Sequence, residues 1–333
     1  MFLLHYTLSY FARLGVCRRS KIQSSFAVRC ETVRRDRVSL KVRKIKLLAL
    51  ILISLAMALW FNLHSSTPSI STVASSPPKT IRYFDRTLPQ SIAHIVSIPA
   101  NSRFLVTPAL SQKVATVEEF AQKHRAVAIL NAGFFDPANQ KSTSYIVVQG
   151  KLVADPKENE RLVNNPNLKP YLDQIFNRTE FRRYLCGQII SYSIAAHSQS
   201  PPAGCQLVDA IGAGPRLLPE LALVKEGFVD NANKRDALGS NQPNARTAVG
   251  ITRDGSVILV MVAQKPSAPA NSGVSLLALA NFMKTLGADQ AMNLDGGSSS
   301  SLYYNGKTFY GKVDLDGNSI KRPVKSVLLV QQN

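Results

Sequence analysis

The chain is poor in the residues that build many common reactive sites. Its 333 residues include four cysteines and five histidines. The histidines are scattered with no His-x-x-x-His, and the cysteine spacing is not that of a zinc site, so no metal cluster is indicated. No Gly-x-Ser-x-Gly elbow is present, which disfavours acyl transfer by an activated serine. There is no P-loop, and no internal repeat. Gly212-Ala213-Gly214-Pro215-Arg216 is not a dinucleotide fingerprint, because Pro215 intervenes and no third glycine opens a helix. Acidic residues are almost missing from the first 46 positions. Only Glu31 and Asp36 stand there against about a dozen lysines and arginines, so about half of the net charge of +19 sits in this leader. The remainder is mildly basic, which suits an anionic substrate. It lacks the aromatic–basic interleaving of a nucleic-acid binder, so no nucleic-acid partner is expected.

What is there begins with a nearly unbroken apolar run, Leu47 to Phe61, preceded by Arg43, Lys44 and Lys46. The run fits a signal-peptide core, or, extended over 47–63, a short signal anchor. The positive flank would hold the N-terminus in the cytoplasm and export the rest, to a periplasmic or other extracytoplasmic place, anchored or secreted after cleavage. The division expected is a basic cytoplasmic leader over 1–46, the membrane segment over 47–63, a Ser/Thr/Pro-rich flexible linker over 64–80 and one catalytic domain over 81–332. In the exported part only Cys186 and Cys205 remain, and in an oxidising compartment they could close a modest loop. A pair of buried thiols would look the same.

Within the domain, short apolar runs end in turns. Strands are expected at His94–Ile98, Arg103–Val106, Ala126–Leu130 and Leu207–Ile211, and in hairpins at 144–153, 246–262 and around Asn305-Gly306. Thr116 with Glu119 forms a capping box for a helix to about His124, and a second helix runs from Ser275 to Leu286 with Gly287 as its stop. A short helix is expected over 171–184, inside an aperiodic stretch, 155–206, that reads as an insertion or lid. The last strand runs from Pro323 to Val330. Connections too short for parallel crossovers place the chain in the α+β class, a mixed, mainly antiparallel sheet packed with a few helices.

Three separated places bring polar residues to strand ends: Asn131 to Asp136, Arg246 to Gly250, and Asn293 to Ser301. The last is the most informative. A buried strand reaches Asp295, then turns on Gly296 and Gly297 into four serines, a shape that can aim successive N–H groups at an anion. The same residues could form a tight hairpin with a solvated aspartate.

The set Asn131-Ala132-Gly133-Phe134-Phe135-Asp136, Arg246-Thr247-Ala248-Val249-Gly250 and Asn293-Leu294-Asp295-Gly296-Gly297 resembles the motif set of the phosphodiester glycosidase family, over about Ile81 to Gln332. Ser272-Gly273 and Arg322 are also similar to the family. Ser298 stands where the family commonly has a third glycine and Ser301 where it has threonine; Arg216 follows a Gly-Pro turn that matches loosely, and 155–206 has no evident counterpart. The resemblance implies hydrolysis of a sugar phosphodiester at the anomeric carbon, giving a sugar and a phosphate monoester, and with export the leading reading is an enzyme acting on envelope or exopolysaccharide glycans. On that reading Asp295, and after it Asp136, supplies the carboxylate that steadies or attacks an oxocarbenium-like carbon. Arg246 forks onto phosphate oxygens. The backbone of Gly296, Gly297, Ser298 and Ser299 donates to the leaving phosphate. Asn131, Gly133, Arg216 and Asn293 contact substrate. No cofactor is required, though Asp295 and Asp136 could hold a divalent cation. Two other functions stay open: a phosphodiesterase breaking P–O, and an envelope protein that binds glycan without turnover.

Overall fold

The structure is a computed structural model that describes residues 48–61 and 80–332. The expected leader and all but the last residue of the linker lie outside the described residues, as do the two ends of the expected membrane segment. The chain divides into two units, Met1–Ala74 and Ser75–Asn333. In the first, residues 48–61 form one helix with exposed apolar side chains such as Leu52, Trp60 and Phe61. Among the described residues no helix is long and apolar enough to cross a membrane.

The second unit is built on three sheets of five or six strands, with a separate two-stranded ribbon of Val229–Asp230 and Arg235–Asp236, and every pairing between its named strands is antiparallel. The expected mixed character is therefore absent among the described residues: the short connections close hairpins and meanders. The first sheet orders its strands Arg82–Leu88, Ser91–Ile98, Val257–Ala263, Arg246–Thr252, Ala288–Asn293 and Arg216–Leu218. The second orders Lys307–Tyr310, Ser301–Tyr304, Ala128–Asn131, Val324–Gln332 and Phe104–Ala115. The third orders Lys151–Ala154, Ile146–Val148, Cys205–Gly212, Thr179–Cys186 and Ile189–Ala196.

All three sheets feed one core. Val96, Val249, Leu259 and Met292 of the first meet Leu130 and Leu328 of the second and Ile146, Phe181 and Ile211 of the third. The alternate residues of the first sheet, Ile95, Val260 and Val262, pack on Leu276, Leu279 and Met283 of the Leu276–Thr285 helix. Both faces of Val257–Ala263 are thus covered, which is why it reads as a continuous apolar run. The Val117–His124 helix puts Phe120 on Ile129 and Val327, behind the second sheet.

The two long helices start where their caps predict. Thr116 and Glu119 make the reciprocal capping box, and Ser275 Oγ accepts from the Ala278 N–H. Gly287, at φ 85°, follows the second helix, and Asn305 and Gly306 are both left-handed, as an Asn-Gly hairpin turn requires.

The segment 155–206 departs from expectation. Its helix is short, Leu172–Phe176, and Thr179–Cys186 is a strand instead of a helix end. That strand pairs with two neighbours and buries Phe181, so this part of the segment is a layer of the core, not a lid over it. Its buried Glu180 and Arg182 break the hydrophobic alternation that would mark a strand. Cys186 lies directly opposite Cys205 on the neighbouring strand, and the two are disulfide-bonded.

Candidate active site

The three motif regions converge at the seam between the first and second sheets. Ala248 pairs with Asn293, and beyond that register Leu294 donates to the Thr247 carbonyl at 2.8 Å and Gly297 to the Ala245 carbonyl at 2.8 Å. The chain then crosses to the second sheet, where Leu302 pairs with Leu130. Asp295 sits in the crossing, its N–H on the Ala132 carbonyl at 2.8 Å. The two glycines serve different needs. Gly297 has φ 60°, while a Cβ on Gly296 would lie 3.1 Å from the Ala245 carbonyl oxygen.

Asn131 ties the crossing together. Its side chain is fully buried; Nδ2 donates to the Asp295 carbonyl, and Oδ1 accepts from Thr247 Oγ1 and the Ser301 N–H, each at 3.0 Å. Asn293 is also buried, with Nδ2 donating to the Gly214 carbonyl at 2.9 Å. These amides, expected to orient substrate, hold the backbone that carries Asp295. Gly133 is likewise internal: a Cβ there would lie 3.1 Å from both the Gly212 carbonyl and Ser326 Oγ.

Asp295 as a residue is only half-buried, but protein surrounds its carboxyl. That burial pushes its pKa up to about 6, against opposing help from the Ser299 hydroxyl, the Arg322 guanidinium and the Gly296 N–H. Arg322 is the guanidinium of this site. Its Nη1 donates to Ser298 Oγ at 2.8 Å, and it lies 5.3 Å from the centre of the Phe135 ring.

Arg246, the residue expected to fork onto phosphate, does something else. It is 3% exposed and donates through Nε to the Val274 carbonyl, through Nη1 to Leu238, and through Nη2 to Gly239 and Gln242. Four carbonyls occupy four of its five N–H groups, leaving no free fork for a ligand. Burial lowers its pKa to about 10, opposed by Asp236. It clamps the 238–242 loop and Val274 to the strand that carries Thr247.

Asp136 is also committed. One oxygen accepts from the Ala138 N–H at 2.8 Å and the other pairs with Arg161 Nε at 2.7 Å. Burial raises its pKa, but those backbone and arginine contacts win and hold it below the usual aspartate range. Arg216 turns toward Glu220, with Nε 3.4 Å from its carbonyl oxygen. The anion-binding turn is mostly spent as well. The N–H groups of Gly297, Ser299, Ser300 and Ser301 all donate within the protein, and that of Gly296 serves Asp295. The Asp295 carboxyl, the Ser298 hydroxyl and Arg322 are grouped at this turn. Arg322 stands 27 positions beyond Asp295, after a hairpin, so nothing local in the sequence ties the two. Among the described residues no group of three or more His, Cys, Asp or Glu is placed to hold a metal ion.

Comparison with known proteins bears on this arrangement. The model of the phosphodiester glycosidase family matches residues 124–331. No curated protein sequence matches. Among solved structures, the chain is similar to the zebrafish N-acetylglucosamine-1-phosphodiester alpha-N-acetylglucosaminidase catalytic domain auto-inhibited by pro-peptide. Identity is 20%, TM-score 0.56, with 78% of this chain and 85% of that one covered. A hypothetical protein from Synechocystis is 18% identical at TM-score 0.49, over 77% of this chain and 64% of that one.

Proposed function

Since the chain belongs to the phosphodiester glycosidase family, hydrolases acting on glycosyl phosphodiesters, we propose that it breaks the C–O bond at the anomeric carbon and releases a free sugar and a phosphate monoester. The observation that carries this is the Asp295 carboxyl, with its pKa pushed up to about 6 beside Arg322 and Ser298.

A phosphodiester enters with one negative charge and its phosphate leaves with a second. Arg322 is preset where that charge develops, and its bond to Ser298 Oγ holds the guanidinium against the site without using all five donors. The anomeric carbon becomes oxocarbenium-like, and the Asp295 carboxylate stabilises or attacks it. Partial desolvation makes the ionised carboxylate a stronger base than an ordinary aspartate, and Ser299 and Gly296 keep it oriented. A phosphate monoester is a good leaving group, so a second carboxyl as general acid is less necessary, which accords with Asp136 being tied to Arg161. Asn131 and Arg246 act one step back, by holding the strands that deliver Asp295.

The substrate is an envelope or exopolysaccharide phosphodiester met outside the cytoplasm. The basic flank before an apolar helix and the Cys186–Cys205 disulfide support export, because such bonds persist in oxidising compartments. The deciding experiment is hydrolysis of a GlcNAc-1-phosphodiester in oxygen-18 water. Label in the sugar agrees with C–O cleavage; label in the phosphate would replace it with P–O cleavage, and binding without turnover over many hours would leave a glycan-binding protein.

A further inference from the structure

A second feature stands apart from Asp295. A cavity of about 170 Å³ opens between the 155–206 segment and the 228–238 loop, walled by Phe134, Leu168, Phe228 and Leu238 and containing Arg178 and Arg235. Arg178 lies 3.7 Å from the centre of the Phe228 ring and Arg235 4.7 Å from that of Tyr171. Each anchors its Nε on the same short backbone stretch, Arg178 on the Glu226 carbonyl at 3.1 Å and Arg235 on the Gly227 carbonyl at 3.4 Å. Stacking and anchoring fix both planes and leave the paired Nη donors for another partner.

The carboxylates nearby are already engaged. Glu226 accepts from Thr179 Oγ1 at 2.7 Å, the Arg216 N–H at 2.8 Å and the Thr179 N–H at 3.2 Å. Asp230 accepts from Tyr171 Oη at 2.8 Å and from Asn233 Nδ2 at 2.7 Å. Among the described residues neither arginine has a carboxylate within ion-pair distance. Burial drives the Arg178 pKa down to about 9, and Arg235 adds to the fall while Glu226 resists it. Two like charges held over aromatic rings in a recess are costly unless an anion joins them.

We propose that Arg178 and Arg235 form a second oxyanion subsite, which takes a further phosphoryl group of a polyanionic glycan whose reacting phosphodiester lies at Asp295. This rests on the proposed reaction for the identity of the whole substrate, but not for the binding of an oxyanion. Two short links join the pocket to the site. Phe134 is adjacent to Phe135, which underlies Arg322. A Cβ on Gly214 would be 3.2 Å from the Phe228 ring, and the Gly214 carbonyl holds Asn293, two residues before Asp295. Phe134 and Phe228, with ring centres 5.9 Å apart, offer an apolar surface for the sugar between two charges.

The test is titration calorimetry with inorganic phosphate on full-length Arg322→Gln protein, which lacks the guanidinium at Asp295. Phosphate should still bind, and adding Arg235→Gln or Arg178→Gln should weaken that binding at least about tenfold, the loss of one charge-assisted fork. Phosphate affinity unchanged by either substitution overturns the proposal, as does no binding to the Arg322→Gln protein. Should Arg178→Gln not fold, Arg235→Gln, on a short two-stranded turn, decides alone. Sodium glucuronate in parallel should bind more weakly; tighter glucuronate binding overturns the phosphoryl assignment in favour of a uronate. Phosphate binding without hydrolysis of any glycosyl phosphodiester would sink the reaction and leave the subsite. Hydrolysis without the arginine-dependent binding would do the reverse.

Discussion

Replacing Asp295 with asparagine should destroy activity and stabilise the protein at neutral pH. The carboxyl has a pKa of about 6 in the fold against 3.8 for an ordinary aspartate, so the fold binds its proton more tightly than the unfolded chain. For an acid shifted upward, the penalty is absent well below 4, grows between about 4 and 6, and is constant above. At its plateau a shift of this size costs about 3 kcal/mol. Asparagine keeps an oxygen to accept from Ser299 and Gly296, but its amide meets Arg322 as a second donor, so the net gain is about 1–2 kcal/mol. For a domain of this length that is about 2–8 °C in Tm. Thermal unfolding of both proteins at pH 8.0 and pH 4.5 checks it: the variant should be the more stable at pH 8.0, and the gap should shrink or reverse at pH 4.5. A variant no more stable than the parent at pH 8.0 would refute the claim that burial strains this carboxyl.

The same shift predicts that kcat/KM rises with pH through about 6, since the ionised carboxylate does the work; a rate that instead falls above pH 6 would make Asp295 a proton donor. Arg322→Ala should lower kcat by about 10²–10³-fold with little change in Tm, measured on a glycosyl phosphodiester. Arg246→Met should act through the fold, costing about 3–5 kcal/mol because four buried carbonyls lose their donor; a stable Arg246→Met protein with lost phosphate affinity would restore it as the phosphate fork. Reducing the Cys186–Cys205 bond should lower stability by about 2–4 kcal/mol, seen as a drop in Tm under reducing conditions.

Local signals told the truth about local structure. The Thr116–Glu119 capping box, the Ser275 cap, the Asn305-Gly306 turn and the alternation over 246–262 each act within a few residues, and each formed the expected element. The segment 155–206 was opaque because its strand Thr179–Cys186 buries charged residues among apolar ones, which breaks the hydrophobic alternation. Arg182 and Glu180 are both buried, held by an ion pair at 2.7 Å that no pattern of hydrophobicity can show.

By itself the sequence marked three stretches as candidates to meet, with Asp295 in the most informative of them. The motif set carries the family with it, but the glycine pair alone also allowed a tight hairpin with a solvated aspartate, and the crossing to the second sheet decided between them. Only the tertiary structure decided which arginine faces the carboxyl. Arg246 and Arg322 are chemically identical, and the choice depends on which loops wrap them. The 238–242 loop closes carbonyls around Arg246, while the approach to the last strand leaves Arg322 open beside Ser298. A guanidinium binds whatever acceptors surround it, and long-range packing sets those acceptors.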